Sequence, residues 1–138
     1  MPPFRILEHT ADIGFEAFGC SREEVFANAA RALLSIIVDL DSVETTQEVG
    51  IECAAADAPG LLVDWLSEIL YLYDAEGWQL SKFRFDRLEE TKLAARARGE
   101  KFHPGRHKVN LLVKAVTYHQ LVLEETPEGW RAQVYVDI

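Results

Sequence analysis

Two stretches of the chain repeat apolar residues every three or four positions, and most of the remainder alternates. Val25, Phe26, Ala29, Ala30, Leu33, Ile36 and Ile37 recur at helical spacing. In front of them Ser21-Arg22-Glu23-Glu24 is a capping box, whose hydroxyl and Glu24 carboxylate satisfy orphan amides of a first turn. The spacing predicts a core helix of about five turns. A second helix is predicted after Asp57-Ala58-Pro59, with Asp57 as cap and the proline tolerated in the first turn. Leu62, Leu66, Ile69 and Tyr73 make its buried stripe, which Trp65 and Leu72 widen. Gly77 stands where a helix ends on a left-handed residue.

The alternating stretches read as strands. Phe4 to Leu7 forms a short one, and from Asp12 onward Ile13, Phe15 and Ala17 share one face while Gly14, Glu16 and Phe18 share the other. Glu44 to Ala55 sets Val49, Ile51, Cys53 and Ala55 against Glu48, Gly50 and Glu52. Leu80, Phe83 and Phe85 predict a further strand, and Leu93, Ala95 and Ala97, alternating with Lys92, Ala94, Arg96 and Arg98, another. The stretch from Gly99 to His107, dense in glycine, proline and polar residues, is predicted as a loop. Lys114 to Leu121 leads into Leu121-Val122-Leu123, and Pro127-Glu128-Gly129 reads as a hairpin turn. The last strand sets Trp130, Ala132, Val134, Val136 and Ile138 against Arg131, Gln133, Tyr135 and Asp137, and the sequence stops on it.

Composition narrows the function classes. At 138 residues, 49% of them hydrophobic, the chain suffices for one domain over 1–138 with a core that needs no disulfide or metal staple. No apolar run approaches the roughly 18 residues of a membrane span. Met1-Pro2-Pro3-Phe4-Arg5 lacks the apolar region of a signal peptide. A soluble, cytoplasmic protein with no membrane partner is expected. The 23 acidic against 14 basic residues give a net charge of −9, which works against unaided binding to a phosphate backbone and favours cations or a basic protein partner. Cys20 and Cys53 match no ligand spacing and are expected to be reduced thiols. Scattered single glycines exclude a P-loop or dinucleotide fingerprint, and no residue sits in a nucleophile elbow.

The candidate chemistry is a set of hard oxygen donors. Glu8-His9-Thr10-Ala11-Asp12 places a carboxylate, an imidazole, a hydroxyl and a second carboxylate at the lip of a strand. At the other end Asp137 and the terminal carboxylate of Ile138 put two negative charges within one residue, and ordering them calls for a cation or donor. Asp12, Asp137 and Ile138, with Glu8 nearby, suit Ca²⁺, Mg²⁺ or Mn²⁺ better than zinc. The pattern leaves open whether the two strands are neighbours; in the plainer reading Thr10 and Asp12 hydrogen-bond a turn. Asp39-Leu40-Asp41 with Glu44, and the like-charged Asp64 and Glu68, read as solvated surfaces, while Asp74 stands out at a helix end beside Tyr71 and Tyr73. His103 and His107 are four apart, but Pro104 and Gly105 between them break the helical face that would pair two imidazoles on one ion. Lys92, Arg96 and Arg98 form a basic strip that either solubilises an exposed sheet face or meets phosphate.

Four blocks, in order, resemble the archease family: His9-Thr10-Ala11-Asp12-Ile13-Gly14; Leu61 through Asp74; Lys114-Ala115-Val116-Thr117-Tyr118-His119; and the closing Val134-Tyr135-Val136-Asp137-Ile138. At Gln120 this chain departs from the family pattern, which has glycine. The resemblance implies a single-domain α+β fold with mixed or antiparallel sheets and two main helices. It also implies a role as protein cofactor, not enzyme, of the RtcB-type RNA ligase that seals tRNA halves in tRNA splicing. Archeases promote transfer of GMP from GTP to the ligase and let it turn over repeatedly, and they meet tRNA only through the ligase. The family's metal site maps onto Asp12, Asp137 and the carboxylate of Ile138, with calcium expected first and magnesium or manganese as alternatives. Two other classes compete with this reading. One is a stand-alone metal-dependent hydrolase, with Asp12 and Asp137 holding the ion and His9 as base. The other is a chaperone-like module that binds proteins through its sheet.

Overall fold

The computed structural model describes residues 2–8 and 12–138, the side chain of Glu8 excepted. Helix α1 (Arg22–Ile37) is where the sequence reading and the structure differ most usefully. The predicted stripe is buried, but so are Asn28, Ala32 and Leu34, which leaves Ala27, Arg31 and Ser35 as a narrow half-exposed line at four-residue spacing. A helix that is apolar almost all round must be covered on both sides. The cover comes from two antiparallel sheets. One face of α1 packs on β1 (Phe4–Glu8), β2 (Asp12–Gly19) and β8 (Gly129–Asp137), and another on β4 (Trp78–Leu88) and on helix α2 (Ala58–Glu76).

The larger sheet runs β1-β2-β8, and the far edge of β8 is shared by β6 (Ala115–Val116) and β7 (Val122–Thr126). The smaller sheet has the order β3-β5-β4, with β3 spanning Gln47–Ala54 and β5 Lys92–Lys101. Every strand pair described is antiparallel, as in the α+β class expected. Phe15 and Ala17 of β2 and Ala132, Val134 and Val136 of β8 are fully buried against the helices, so the opposite face of both strands points away from the core.

Local signals act as the sequence anticipates. Ser21 Oγ accepts the Glu24 amide at 3.1 Å, though the Glu24 carboxylate reaches the Cys20 amide (3.0 Å) rather than that of Ser21 itself. Asp57 caps α2 by accepting the Gly60 amide at 2.7 Å, and Gly77 ends it at φ +73°. Trp65 joins the two helices by donating its indole N–H to the Phe26 carbonyl at 3.0 Å.

Three strand boundaries are corrected. β3 begins at Gln47 rather than Glu44. β4 starts at Trp78, and register shifts between Leu80 and Lys82 and between Phe85 and Arg87 explain why its apolar residues fall at 80, 83, 85 and 88 instead of alternating. β5 continues through Gly99, Glu100 and Lys101, part of the stretch predicted as loop. Gly99 serves a strand here. A Cβ on it would overlap the Gln79 carbonyl oxygen of the neighbouring strand, so its lack of a side chain marks close backbone approach rather than a turn.

Candidate functional site

Asp12 opens β2 and Asp137 closes β8, and the register of these strands pairs the two residues directly, without a shift from Asp12↔Asp137 to Gly19↔Trp130. Opposite residues of an antiparallel pair project to the same side. Because Ile13 and Val136 face the helices, both aspartates belong to the outer face. Two carboxylates in this relation repel, and a cation between them would relieve the repulsion. Asp137 is fixed from its other side as well: Ala115 of β6 pairs with it, and the Lys114 amide donates to its carbonyl at 2.8 Å. Ile138, the last residue of the sequence, follows it and is 37% exposed.

The donor set is made of hard anionic oxygens on rigid backbone, which fits a calcium, magnesium or manganese ion and does not fit a soft, thiolate-seeking one. Among the described residues no three His, Cys, Asp or Glu side chains converge. A cation held by the two aspartates would take further ligands of another kind, and Ile138 stands next to Asp137 in the chain. His9 and Thr10 lie outside the described residues, as does the Glu8 side chain, so His9 as a base has no geometry to describe.

The next pair along the same face is Gly14↔Tyr135. The tyrosine ring lies over the glycine, where an added Cβ would come within 2.6 Å of its Cε1. The His119 ring meets Tyr135 edge-on at 5.7 Å. Thr117 donates to the Tyr135 carbonyl through both its amide (3.1 Å) and its hydroxyl (2.9 Å), and its hydroxyl oxygen accepts the His119 amide at 3.3 Å. The Thr117-Tyr118-His119 block thus lines the strand that carries Asp137. Its place beside the aspartates is invisible in the sequence, where only the outward alternation of Tyr135 hints at it.

One step further, Glu16 is buried on this outer face between Arg5 and Arg131, and Arg131 Nε donates to it at 2.7 Å. Burial alone would raise its carboxyl, but the two guanidinium hydrogen bonds outweigh it and hold Glu16 below the usual carboxylate range. Arg131 also reaches Glu124 at 2.8 Å. The other candidates lie elsewhere. Asp74 is exposed in the last turn of α2, with its carboxyl raised by partial desolvation. Asp39 accepts the Asp41 amide in a short 3-10 turn, Leu40–Ser42. Both cysteines are free, and burial, reinforced by Glu68 and Asp64, pushes the Cys53 thiol up to about 12, which makes it a poor nucleophile or ligand.

His107 lies in the predicted loop, and its burial is what the sequence pattern does not disclose. Its Nδ1 accepts the His103 amide at 2.8 Å, so the proton sits on Nε2, which donates to Glu100 Oε2 at 2.9 Å. Glu100, also buried, accepts the Glu44 amide at 2.8 Å and pairs with Arg106. The Glu44 amide, then His107 and Arg106, hold its carboxyl below the ordinary value. This cluster ties the 102–107 segment to β5 and makes His107 a structural residue, not a metal ligand.

A single α+β domain with two buried helices, two antiparallel sheets and an outward aspartate pair defines the class. The Archease protein family (MTH1598/TM1083) matches residues 4–138. The chain is 45% identical to the archease of Methanosarcina mazei, over 98% of this chain and 95% of that protein, and 39% identical to that of Methanopyrus kandleri, over 99% of each. The solution structure of Methanobacterium thermoautotrophicum protein 1598 superposes with a TM-score of 0.84 at 34% identity, covering the whole of both chains. The crystal structure of a Thermotoga maritima archease, described as a possible chaperone, gives 0.64 at 26% identity over 96% of this chain and 94% of that one. This chain belongs to the archease family.

Proposed function

We propose that this archease activates an RtcB-type RNA ligase through a divalent cation held by Asp12, Asp137 and the carboxylate of Ile138. The observation that supports it most is the direct Asp12↔Asp137 pairing, which puts two like charges from near opposite ends of the sequence on one rigid outer face. Sheets avoid such pairs unless something compensates them. A bound calcium, magnesium or manganese ion would supply positive charge to a phosphoryl group in transfer. Asp12 and Asp137 hold that charge in place, and the β2–β8 ladder and β6 keep their backbones from moving apart. The net charge of −9 steers the chain toward a basic partner, which holds most of the tRNA. In this reading the chain has no reaction of its own.

The test is to mix the protein with its host's RtcB-type ligase, GTP and Mn²⁺ and to follow GMP attachment and repeated RNA joining. Wild type is expected to accelerate both, and Asp12→Ala to lose the acceleration. No acceleration by wild type overturns the reading. A chaperone-like activity draws support from Leu112 and Tyr118, which are 68% and 65% exposed. It predicts that Asp12→Ala still suppresses aggregation of a client while Leu112→Ser does not.

A further inference from the structure

The outer face of the smaller sheet carries a second charged arrangement, of the opposite sign. In the β4–β5 register Lys82 pairs with Arg98 and Arg84 with Arg96. These are two like-charge pairs side by side, four cations in a block two strands wide. Directly opposed cations destabilise a sheet, so nothing in folding alone calls for them. Glu48 of β3 reaches Arg98 at 3.4 Å and Arg96 at 3.8 Å, and Asp86 accepts from Arg96 at 2.9 Å and stands 3.9 Å from Arg84. Glu48, Asp86 and Glu52, the last of them two residues beyond Gly50 on the same face of β3, stand against these four cations and leave the block with an excess of one positive charge. The side chains of Arg84, Arg96 and Arg98 are 67%, 48% and 50% exposed. Opposite Arg96 on β3 stands Gly50, where a side chain would meet nothing within 4 Å, and the shallow depression left there is lined by Glu52, Asp86 and Arg96. The cations surround a depression of about 260 Å³ lined also by Glu48 and Phe83.

We propose that this block binds the phosphate backbone of single-stranded RNA. Along each strand the cations recur at alternate residues, about 7 Å apart, so they form two parallel rows suited to a polymer that repeats its charge rather than to one isolated anion. The two-row spacing favours a polymer that repeats its charge over an acidic protein or a membrane surface, whose hold is strengthened by apolar or aromatic anchors beside the charges. The large exposed hydrophobics among the described residues are Ile6, Tyr71, Phe102, Val109, Leu112, Tyr118 and Ile138, none of them in β3, β4 or β5. The absence of an exposed aromatic there also removes base stacking, which leaves phosphate contacts that are insensitive to sequence and sensitive to salt. Glu48 and Asp86 compete with the phosphates and keep the affinity low, which suits an accessory grip on RNA held mainly by another protein. The choice of RNA over DNA rests on the ligase reading; the grip on a phosphate backbone does not.

The test is fluorescence anisotropy of a labelled single-stranded RNA against the isolated full-length protein at low ionic strength, with no ligase present. Wild type is expected to bind, with log affinity falling against log salt at about 0.7 per phosphate engaged. The Arg84→Gln, Arg96→Gln double variant is expected to bind about tenfold more weakly with a shallower salt slope. Glu48→Gln is expected to bind more tightly than wild type, a gain that loss of folding cannot mimic. Thermal melts are expected to show the double variant within about 1 kcal/mol of wild type, since relief of the like-charge pair offsets loss of the exposed ion pairs to Asp86 and Glu48. Failure of wild type to bind, an unchanged salt slope in the double variant, or capture by phosphatidylserine vesicles or polyglutamate in preference to RNA overturns the proposal. Because the ligase is absent, loss of RNA binding and loss of ligase activation are separate results.

Discussion

Gln120 has a φ of +49° and is the only non-glycine residue with positive φ among those described. This is the position at which the archease resemblance leads to an expectation of glycine. The left-handed conformation costs an L-residue with a Cβ about 1–2 kcal/mol, and the turn keeps it because the Gln120 carbonyl accepts the Gln133 side chain at 2.9 Å. Gln120→Gly is therefore expected to raise stability by about 1 kcal/mol, read from the urea midpoint, with the backbone hydrogen bond retained. Two buried carboxylates make an acid-side prediction. Glu16 and Glu100 both titrate below their ordinary value of 4.5 in the folded chain. A carboxyl with a depressed folded value adds stability that is fully present above its unfolded value and is lost as pH falls through the folded one. Stability is expected to be flat near neutrality and to drop below about pH 4.5, and Glu16→Gln or Glu100→Gln should make that drop shallower in a series of urea titrations.

Between residue and molecule, the glycines of the smaller sheet show how far local pattern reaches. Gly50 and Gly99 are paired strands apart, and in sequence both look like the same interruption. Gly50 faces open space, whereas Gly99 lies against the Gln79 backbone. Gly50→Ala is expected to stabilise the protein by about 0.5 kcal/mol through the lost flexibility of glycine. Gly99→Ala should destabilise it by about 3 kcal/mol or prevent folding, because the clash is with backbone that cannot turn aside. Differential scanning fluorimetry separates the two. The same limit applies to α1. Helical spacing reports which residues repeat, but the cover on α1 does not follow from it: Asn28 donates to the Phe18 carbonyl of the adjacent β2 at 2.7 Å, while β4 and α2, distant in sequence, pack on the helix from another side.

The aspartate pair is a property of the assembled molecule, and in the proposed site its effect on stability depends on metal. With the ion of the proposed site removed, Asp12 and Asp137 still face each other, so Asp137→Asn is expected to melt at least as high as wild type in chelator. With calcium or manganese at a hundred times its dissociation constant, wild type should gain about 2.7 kcal/mol and the variant little or none. Melts of both proteins under the two conditions check this crossing, and the absence of any metal-dependent gain in wild type would rule the site out.

What the sequence determined by itself was local. Ser21, Asp57 and Gly77 mark helix ends because caps and left-handed stops act within a few residues, and the alternation of β2, β5 and β8 sets their inner faces because a strand repeats every second residue. The aspartates and Ile138 were legible as hard oxygen donors, and the four ordered blocks named the family. Adjacency was left to the tertiary structure. It decided that Asp12 faces Asp137, that Tyr135 and His119 stand beside them, that His107 turns inward to Glu100, and that four cations meet across β4 and β5. Each of these depends on strand order and register, which are set by the shared core of two helices and two sheets rather than by any neighbouring residue.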